Sequence, residues 1–225
     1  MPRRLLLIRH GRVDFDATGA GDFRDTPRGP QWDPPLDGRG QEQAGLLAAR
    51  LTSMAPPAAL FVSPYRRCLQ TAEPFVRATG IEPTVDEGLS EVFIGEWEGV
   101  RFEDLFAANA DLIRRRLHEQ EPMFNLAPGG ESGVQLRARV VPAVERLLAS
   151  APDGDEGNVL MIAHGGVINA YLGHVMGVEQ DMFFIPENTS VNTIDLDGDL
   201  RRMRFINDVA HLAFPGIFEL HPGTR

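Results

Sequence analysis

The stretches Leu5-Leu6-Leu7-Ile8-Arg9-His10-Gly11 and Val159-Leu160-Met161-Ile162-Ala163-His164-Gly165-Gly166 decide the fold. Each is a short continuous apolar run, the pattern of a strand buried on both faces. Each breaks off at a histidine followed by glycine. Ala59 to Val62 is a further apolar strand, and Pro83 to Asp86 a shorter one. Helical segments separate them. Asp37 to Met54 puts Ala44, Leu47, Ala48 and Leu51 on one face and stops at Pro56-Pro57. A second helix opens at Ser63-Pro64 and runs to Thr79, with Pro74 inside it and Gly80 as its cap. Phe102 to Glu121 and Glu131 to Ser150 also read as helices, and another runs from Gly166 through Met176. Val191 to Leu196 and Leu200 to Ile206 form a hairpin around Asp197-Gly198. Gly11 to Pro35 reads as one long loop. Strands alternating with helices predict an α/β fold, a three-layer α/β/α sandwich with a largely parallel central sheet.

The 225 residues suit a single domain, 1–225, with residues 91–130 as a candidate small cap subdomain over the sheet. Acids outnumber bases 32 to 22, for a net charge of -10. All the bases are arginine. The absence of lysine excludes Schiff-base chemistry, pyridoxal attachment and a P-loop. No basic run exceeds Arg114-Arg115-Arg116, so no nucleic-acid partner is expected. Cys68 is the only cysteine, which excludes an intramolecular disulfide and a paired-cysteine metal site; a small buried thiol is expected. No apolar stretch reaches membrane-spanning length, and Leu5 to Ile8 is too short for a signal-peptide core. A cytoplasmic location without membrane association is the expectation.

The two strand-end histidines carry the chemistry. In open α/β sheets, ligands bind at the carboxyl ends of strands, so both imidazoles belong on that edge. The glycines let backbone approach a ligand, and a helix N-terminus after Gly166 favours an anion. Ser63-Pro64-Tyr65-Arg66-Arg67-Cys68-Leu69-Gln70-Thr71-Ala72 also follows a strand, so its arginines lie on the same edge. A guanidinium fork matches phosphate oxygens in charge and geometry. Leu89-Ser90-Glu91-Val92-Phe93-Ile94-Gly95-Glu96-Trp97-Glu98-Gly99 sets three carboxylates among aromatics and glycines, and one of them can act as a general acid.

Arg-His-Gly at 9–11, Ser-x-x-x-Arg-x-x-x-Thr-Ala at 63–72, Leu-x-Glu-x-x-x-Gly-x-Trp-Glu-Gly at 89–99, Pro-Gly-Gly-Glu-Ser at 128–132 and Ala-His-Gly-Gly at 163–166 occur in this order. The set resembles the histidine phosphatase superfamily, also called phosphoglycerate-mutase-like, from Leu5 to Leu212. The resemblance implies a phosphomonoester hydrolase that forms phosphohistidine on His10 and needs no metal or other cofactor. It implies His10, Glu91 and His164 as catalytic residues, with Arg9 and Arg67 holding phosphate. Gly165 and Arg12 join the expected phosphate-binding set. Glu96 and Glu98 are expected to be structural, and Glu131 to be a carboxylate in a helix first turn. The implied partner is a phosphorylated small-molecule substrate. A homodimer is compatible with the sequence.

One departure stands out. The family's Arg-His-Gly-x-Thr-x-x-Asn has Val13 and Asp16 here in place of threonine and asparagine. A carboxylate at Asp16 is expected to turn away from phosphate, with Arg12 or a residue of 18–35 substituting. Two alternatives stand beside hydrolysis: mutase-type phosphoryl transfer, and a catalytically weak module that senses a phosphorylated ligand. The missing lysine counts against the mutase, and the retained acid Glu91 against the sensor. Arg114 to Arg116 read as a solvated helix face, and His118, His174, His211 and His221 as structural or surface residues.

Overall fold

The computed structural model describes residues 3–15, 23–100, 102–119, 121–152 and 157–212. In chain order its main elements are β1 (Arg3–Arg9), β2 (Phe23–Thr26), β3 (Gly29–Trp32), α1 (Gly38–Thr52), β4 (Ala59–Val62), α2 (Arg66–Thr79), β5 (Thr84–Val85), α3 (Phe102–Glu119), α4 (Gly133–Ser150), β6 (Val159–Ala163), α5 (Gly165–Met176), β7 (Val191–Asp197) and β8 (Leu200–Asp208). The central sheet runs β5-β4-β6-β1-β7-β8. The first four strands in that order are mutually parallel, and β7 and β8 complete the sheet antiparallel.

Side chains alternate across β1, so one strand feeds two cores. Leu5 and Leu7 pack with Met161 and with Val140, Val144, Ile168 and Tyr171 of α4 and α5. Leu6 and Ile8 pack with Ile162 and with Leu47, Leu51, Cys68 and Phe75 of α1 and α2. This is the expected three-layer sandwich. Cys68 is a fully buried free thiol, as anticipated. Among the described residues, no helix is long and apolar enough to cross a membrane.

Three expectations need correction. The stretch from Gly11 to Pro35 is not all loop: β2 and β3 pair antiparallel within it, and Val13 bridges Leu36. Its Pro30 and flanking glycines hide the strand signal. The second helix starts at Arg66, two residues after Pro64, because Tyr65 is extended at ψ 138°. α2 then continues through Pro74 and ends at the left-handed Gly80. The fourth helix starts at Gly133, because Ser132 and Gln135 form a reciprocal capping box. Glu131 therefore lies before the helix, outside its first turn.

Glycine is required where α1 meets the segment after His10. A Cβ on Gly40 would lie 2.0 Å from the Arg12 carbonyl oxygen, and one on Gly11 would lie 2.7 Å from the Gly40 carbonyl oxygen. Asp37 caps α1 by accepting from Gly40 N at 2.7 Å. Gln43 accepts from Arg12 N at 2.9 Å. Gly40→Ala should cost at least ~2 kcal/mol, because both clashing groups are backbone. Urea unfolding measures this; a variant as stable as wild type would show that the approach is not tight.

Candidate active site

The parallel register of β1 on β6 pairs Ile8 with Ile162 and Arg9 with Ala163, so both strands end level. The next residues, His10 and His164, face each other edge to face with ring centroids 5.2 Å apart. Both are buried. The His10 Nδ1 lies 2.8 Å from the Gly11 carbonyl, which can only accept. The ring proton therefore sits on Nδ1, and Nε2 keeps its lone pair. The backbone carbonyl of His10 is held by Thr189 N at 3.2 Å and Asn188 Nδ2 at 3.1 Å.

His164 is fixed in the opposite sense. Arg67 Nε donates to its Nδ1 at 3.3 Å, so Nε2 carries the proton and donates to Ser63 Oγ at 2.7 Å. Burial, reinforced by the charges of Arg67 and its neighbours, holds both imidazoles well below the ordinary 6.5. They are neutral at physiological pH.

Two guanidinium groups flank them. Arg9 is half-buried and donates from Nη1 to the Pro186 carbonyl, while its Nε has no hydrogen-bond partner among the described residues. Arg67 spends Nη1 on the Trp32 carbonyl at 3.1 Å and on Asp33 Oδ1 at 3.4 Å. Among the described residues none takes its Nη2. Gly165 opens α5, and a Cβ there would lie 3.9 Å from Arg9 Nε. Arg9, His10, Arg67, His164 and Gly165 thus share one strand-end cluster that sets two guanidinium groups beside two neutral imidazoles, an arrangement suited to an anion.

Glu91 reaches the same edge from the loop after β5. Its Oε1 accepts from Val92 N at 2.9 Å and from Gly166 N at 3.1 Å, at the mouth of α5. Only glycine permits this, since a Cβ on Gly166 would lie 2.5 Å from that oxygen. Phe124 lies against the same spot, 3.4 Å from that Cβ position.

Arg12 stands apart from the cluster, half exposed and paired with Asp37 at 2.9 Å. Val13 is buried and presents no polar atom; Asp16 lies outside the described residues, as does His221. Glu98 is structural, accepting from Trp32 N at 2.8 Å and Ile94 N at 3.0 Å. Glu131 is buried, gripping Arg139 through two bonds of 2.7 and 2.9 Å. Arg114 is exposed beside Asp111, and His118 and His174 are exposed. His211 instead contacts Thr189 Oγ1 at 3.0 Å and Arg50 at 3.3 Å. Among the described residues, no three His, Cys, Asp or Glu side chains gather as metal ligands.

The structure adds residues that the sequence did not assign. Asp33 accepts from Arg66 N with both oxygens, at 2.9 and 3.0 Å. Ser63 orients His164. Tyr65 packs edge-on to His164 at 4.9 Å, and Arg67 lies 4.5 Å over its ring. The Tyr65 hydroxyl is buried without a partner among the described residues. Ser63 and Tyr65 lie inside a quoted motif, but nothing in their identity says what they touch.

The histidine phosphatase superfamily (branch 1) model matches residues 5–209, and the chain belongs to that family. It is 33% identical over 173 residues to a glucosyl-3-phosphoglycerate phosphatase of Mycobacterium tuberculosis, covering 75% of this chain and 73% of that protein. It is 27% identical to a putative phosphoserine phosphatase 2 of Hydrogenobacter thermophilus, covering 93% and 97% respectively. Among solved structures, mycobacterial glucosyl-3-phosphoglycerate phosphatase complexed with VO3 superposes with a TM-score of 0.74 at 28% identity, covering 91% of this chain and 98% of that one.

The buried imidazoles make the protein sensitive to acid below neutral pH. His10 and His164 are held below 6.5, and burial takes His211 down to about 4. The folded state then binds fewer protons than the unfolded chain, so stability is lost as pH falls through the unfolded value. Asp33 and Glu98, raised by burial, act in the opposite sense from lower ordinary values of 3.8 and 4.5. The urea midpoint should fall between about pH 7 and pH 5. A flat midpoint would mean that these histidines charge in place.

The unpartnered Tyr65 hydroxyl makes a second prediction. Tyr65→Phe removes a buried polar group that has no bond to lose, so it should leave stability unchanged or raise it by about 1 kcal/mol. A clear drop in the urea midpoint would reveal an acceptor for that hydroxyl.

Proposed function

We propose that the chain is a metal-independent phosphomonoester hydrolase that transfers a phosphoryl group from a small-molecule substrate to His10 and then to water. The observation that carries this reading is the His10 ring itself: Nδ1 is committed to the Gly11 carbonyl, which leaves an unprotonated Nε2 on a ring that feels the charges of Arg67 and Arg9. A neutral imidazole is a competent nucleophile, and a covalent intermediate divides one difficult transfer into two.

Arg9 and Arg67 hold the phosphate oxygens, with backbone at Gly165 beside them. His164 lies against the same group and keeps Arg67 in place. The charge that grows on the equatorial oxygens meets cations already oriented, and positioning with electrostatic stabilisation dominates this chemistry. Glu91 gives its proton to the leaving oxygen in the first step. In the second it takes a proton from the attacking water as the Nε2–P bond breaks. Residues 91–130 act as a cap on the leaving-group side, supported by Phe124 beside Gly166 and by Asp181, which accepts from Met123 N and Phe124 N at 2.8 and 3.0 Å. Arg12, tied to Asp37, contributes to phosphate binding only by leaving that partner. The names of the relatives favour a substrate with a phosphorylated three-carbon acid unit. The buried free thiol suits a reducing cytoplasm.

Hydrolysis of p-nitrophenyl phosphate in excess chelator tests the reading. Wild type should turn over, and His10→Ala should lose more than about 10³-fold with its fold intact. A His10→Ala enzyme with wild-type activity would remove the nucleophile assignment. Glu91→Gln should slow alkyl phosphates by about 10²-fold and p-nitrophenyl phosphate much less, because a good leaving group needs no proton. Equal slowing would count against general acid catalysis. The acid limb of kcat/KM should also lie below pH 6.5, since His10 stays neutral under its ordinary value.

A further inference from the structure

Resting on the phosphate-holding role proposed for Arg67, we infer that Asp33 is the positioning residue that sets the orientation of that guanidinium. Asp33 belongs to none of the sequence motifs. It follows β3 and is buried. Both its carboxylate oxygens accept from Arg66 N, and one lies 3.4 Å from Arg67 Nη1. Its carbonyl accepts from Arg66 Nε at 3.2 Å and Nη2 at 2.7 Å. The preceding carbonyl, on Trp32, takes Arg67 Nη1 at 3.1 Å. α2 has no side-chain cap of its own at Tyr65, so Asp33 supplies one from outside the helix.

The consequence for Arg67 is geometric. A planar guanidinium held at Nε by His164 and at Nη1 by Trp32 and Asp33 can neither rotate nor slide. Its Nη2 edge is the part left for a ligand. Asp33 is the one carboxylate in this clamp. Its charge offsets part of the Arg67 charge, so it does not strengthen attraction for phosphate in the ground state. What it supplies is a fixed direction, which matters most when the phosphoryl group flattens in the transition state.

The test separates the hold on Arg67, which a charge-assisted bond maintains, from the cap on α2. Asp33→Asn keeps an acceptor for Arg66 N and removes the carboxylate charge. It should reduce kcat on p-nitrophenyl phosphate about tenfold and weaken inhibition by orthovanadate, a five-coordinate mimic, by a similar factor. Inhibition by inorganic phosphate, a tetrahedral mimic, should shift less than about threefold. If Asp33 merely caps α2, Asp33→Asn will leave all three values near wild type, or move them together with Tm. The double variant Asp33→Asn with Arg67→Gln provides a second check. An effect routed through Arg67 vanishes in the Arg67→Gln background, whereas additive losses would overturn the inference. Wild type and His10→Ala in the same assay keep this outcome distinct from a failure of the phosphatase reading. Should turnover be absent in wild type, calorimetric vanadate and phosphate affinities of the four proteins carry the same comparison.

Discussion

The parallel register between β1 and β6 is the constraint on which the rest depends. Leu5 to Arg9 sit opposite Val159 to Ala163, residue for residue, so His10 and His164 leave the sheet side by side. A slip of one residue would carry each strand's inner and outer side chains to the wrong layer, since side chains alternate with period two. The register is therefore enforced by two cores at once. Leu5 and Leu7 need α4 and α5, while Leu6 and Ile8 need α1 and α2. Burial distributed over both faces thus aligns two imidazoles that have no hydrogen bond to each other.

That alignment brings together groups that resist one another. Arg9 and Arg67 are cations in a buried site, and burial with these charges pushes both histidines toward neutrality. The nearest carboxylates cancel the cations only in part: Glu91 is spent on the amides of Val92 and Gly166, and Asp33, shared with Arg66 N, offsets part of the Arg67 charge. A buried, under-compensated positive site is costly in an empty protein. The cost is met by the rigid cores beneath it and is relieved when an anion arrives. Sites organised in this way need little reorganisation during reaction, which is where electrostatic catalysis gains its advantage.

Much of this was legible in the sequence, for physical reasons. Continuous apolar runs ending in His-Gly locate strand ends, and strand ends of an open sheet locate the site. His10 and His164 are placed by that rule, whereas Arg67 and Glu91 are singled out by the family motifs that the sequence resembles. What escaped depends on contacts between distant residues. Asp33 has no signature, because its partners lie 33 and 34 positions away in α2. The β2–β3 hairpin escaped because Pro30, Gly29 and charged residues mask its alternation. Glu131 was misread because capping is local chemistry: Ser132 with Gln135 captures the helix start and frees Glu131 to bind Arg139. Arg12 is the expected substitute for the missing threonine and asparagine, yet the turn after Gly11 carries it to Asp37.

The hairpin shows how the family scaffold accommodates change at its mouth. Val13 is buried where the resemblance calls for threonine, so that hydroxyl is lost from the phosphate side. Loops tolerate such variation because the sheet, not the loop, positions His10 and His164. Compensation can then come from any segment that reaches the same edge. Here β3 delivers the Trp32 carbonyl and the Asp33 carboxylate to Arg67, while Glu98 and Glu87 tie the hairpin down through Trp32 N and Arg24. The hairpin is thereby linked both to the Arg67 guanidinium and to the loop that carries Glu91. The proposed clamp on Arg67 thus runs through the hairpin, while His10 is held by its bonds to Gly11, Thr189 and Asn188, so the shape of the proposed anion site can vary around a fixed imidazole.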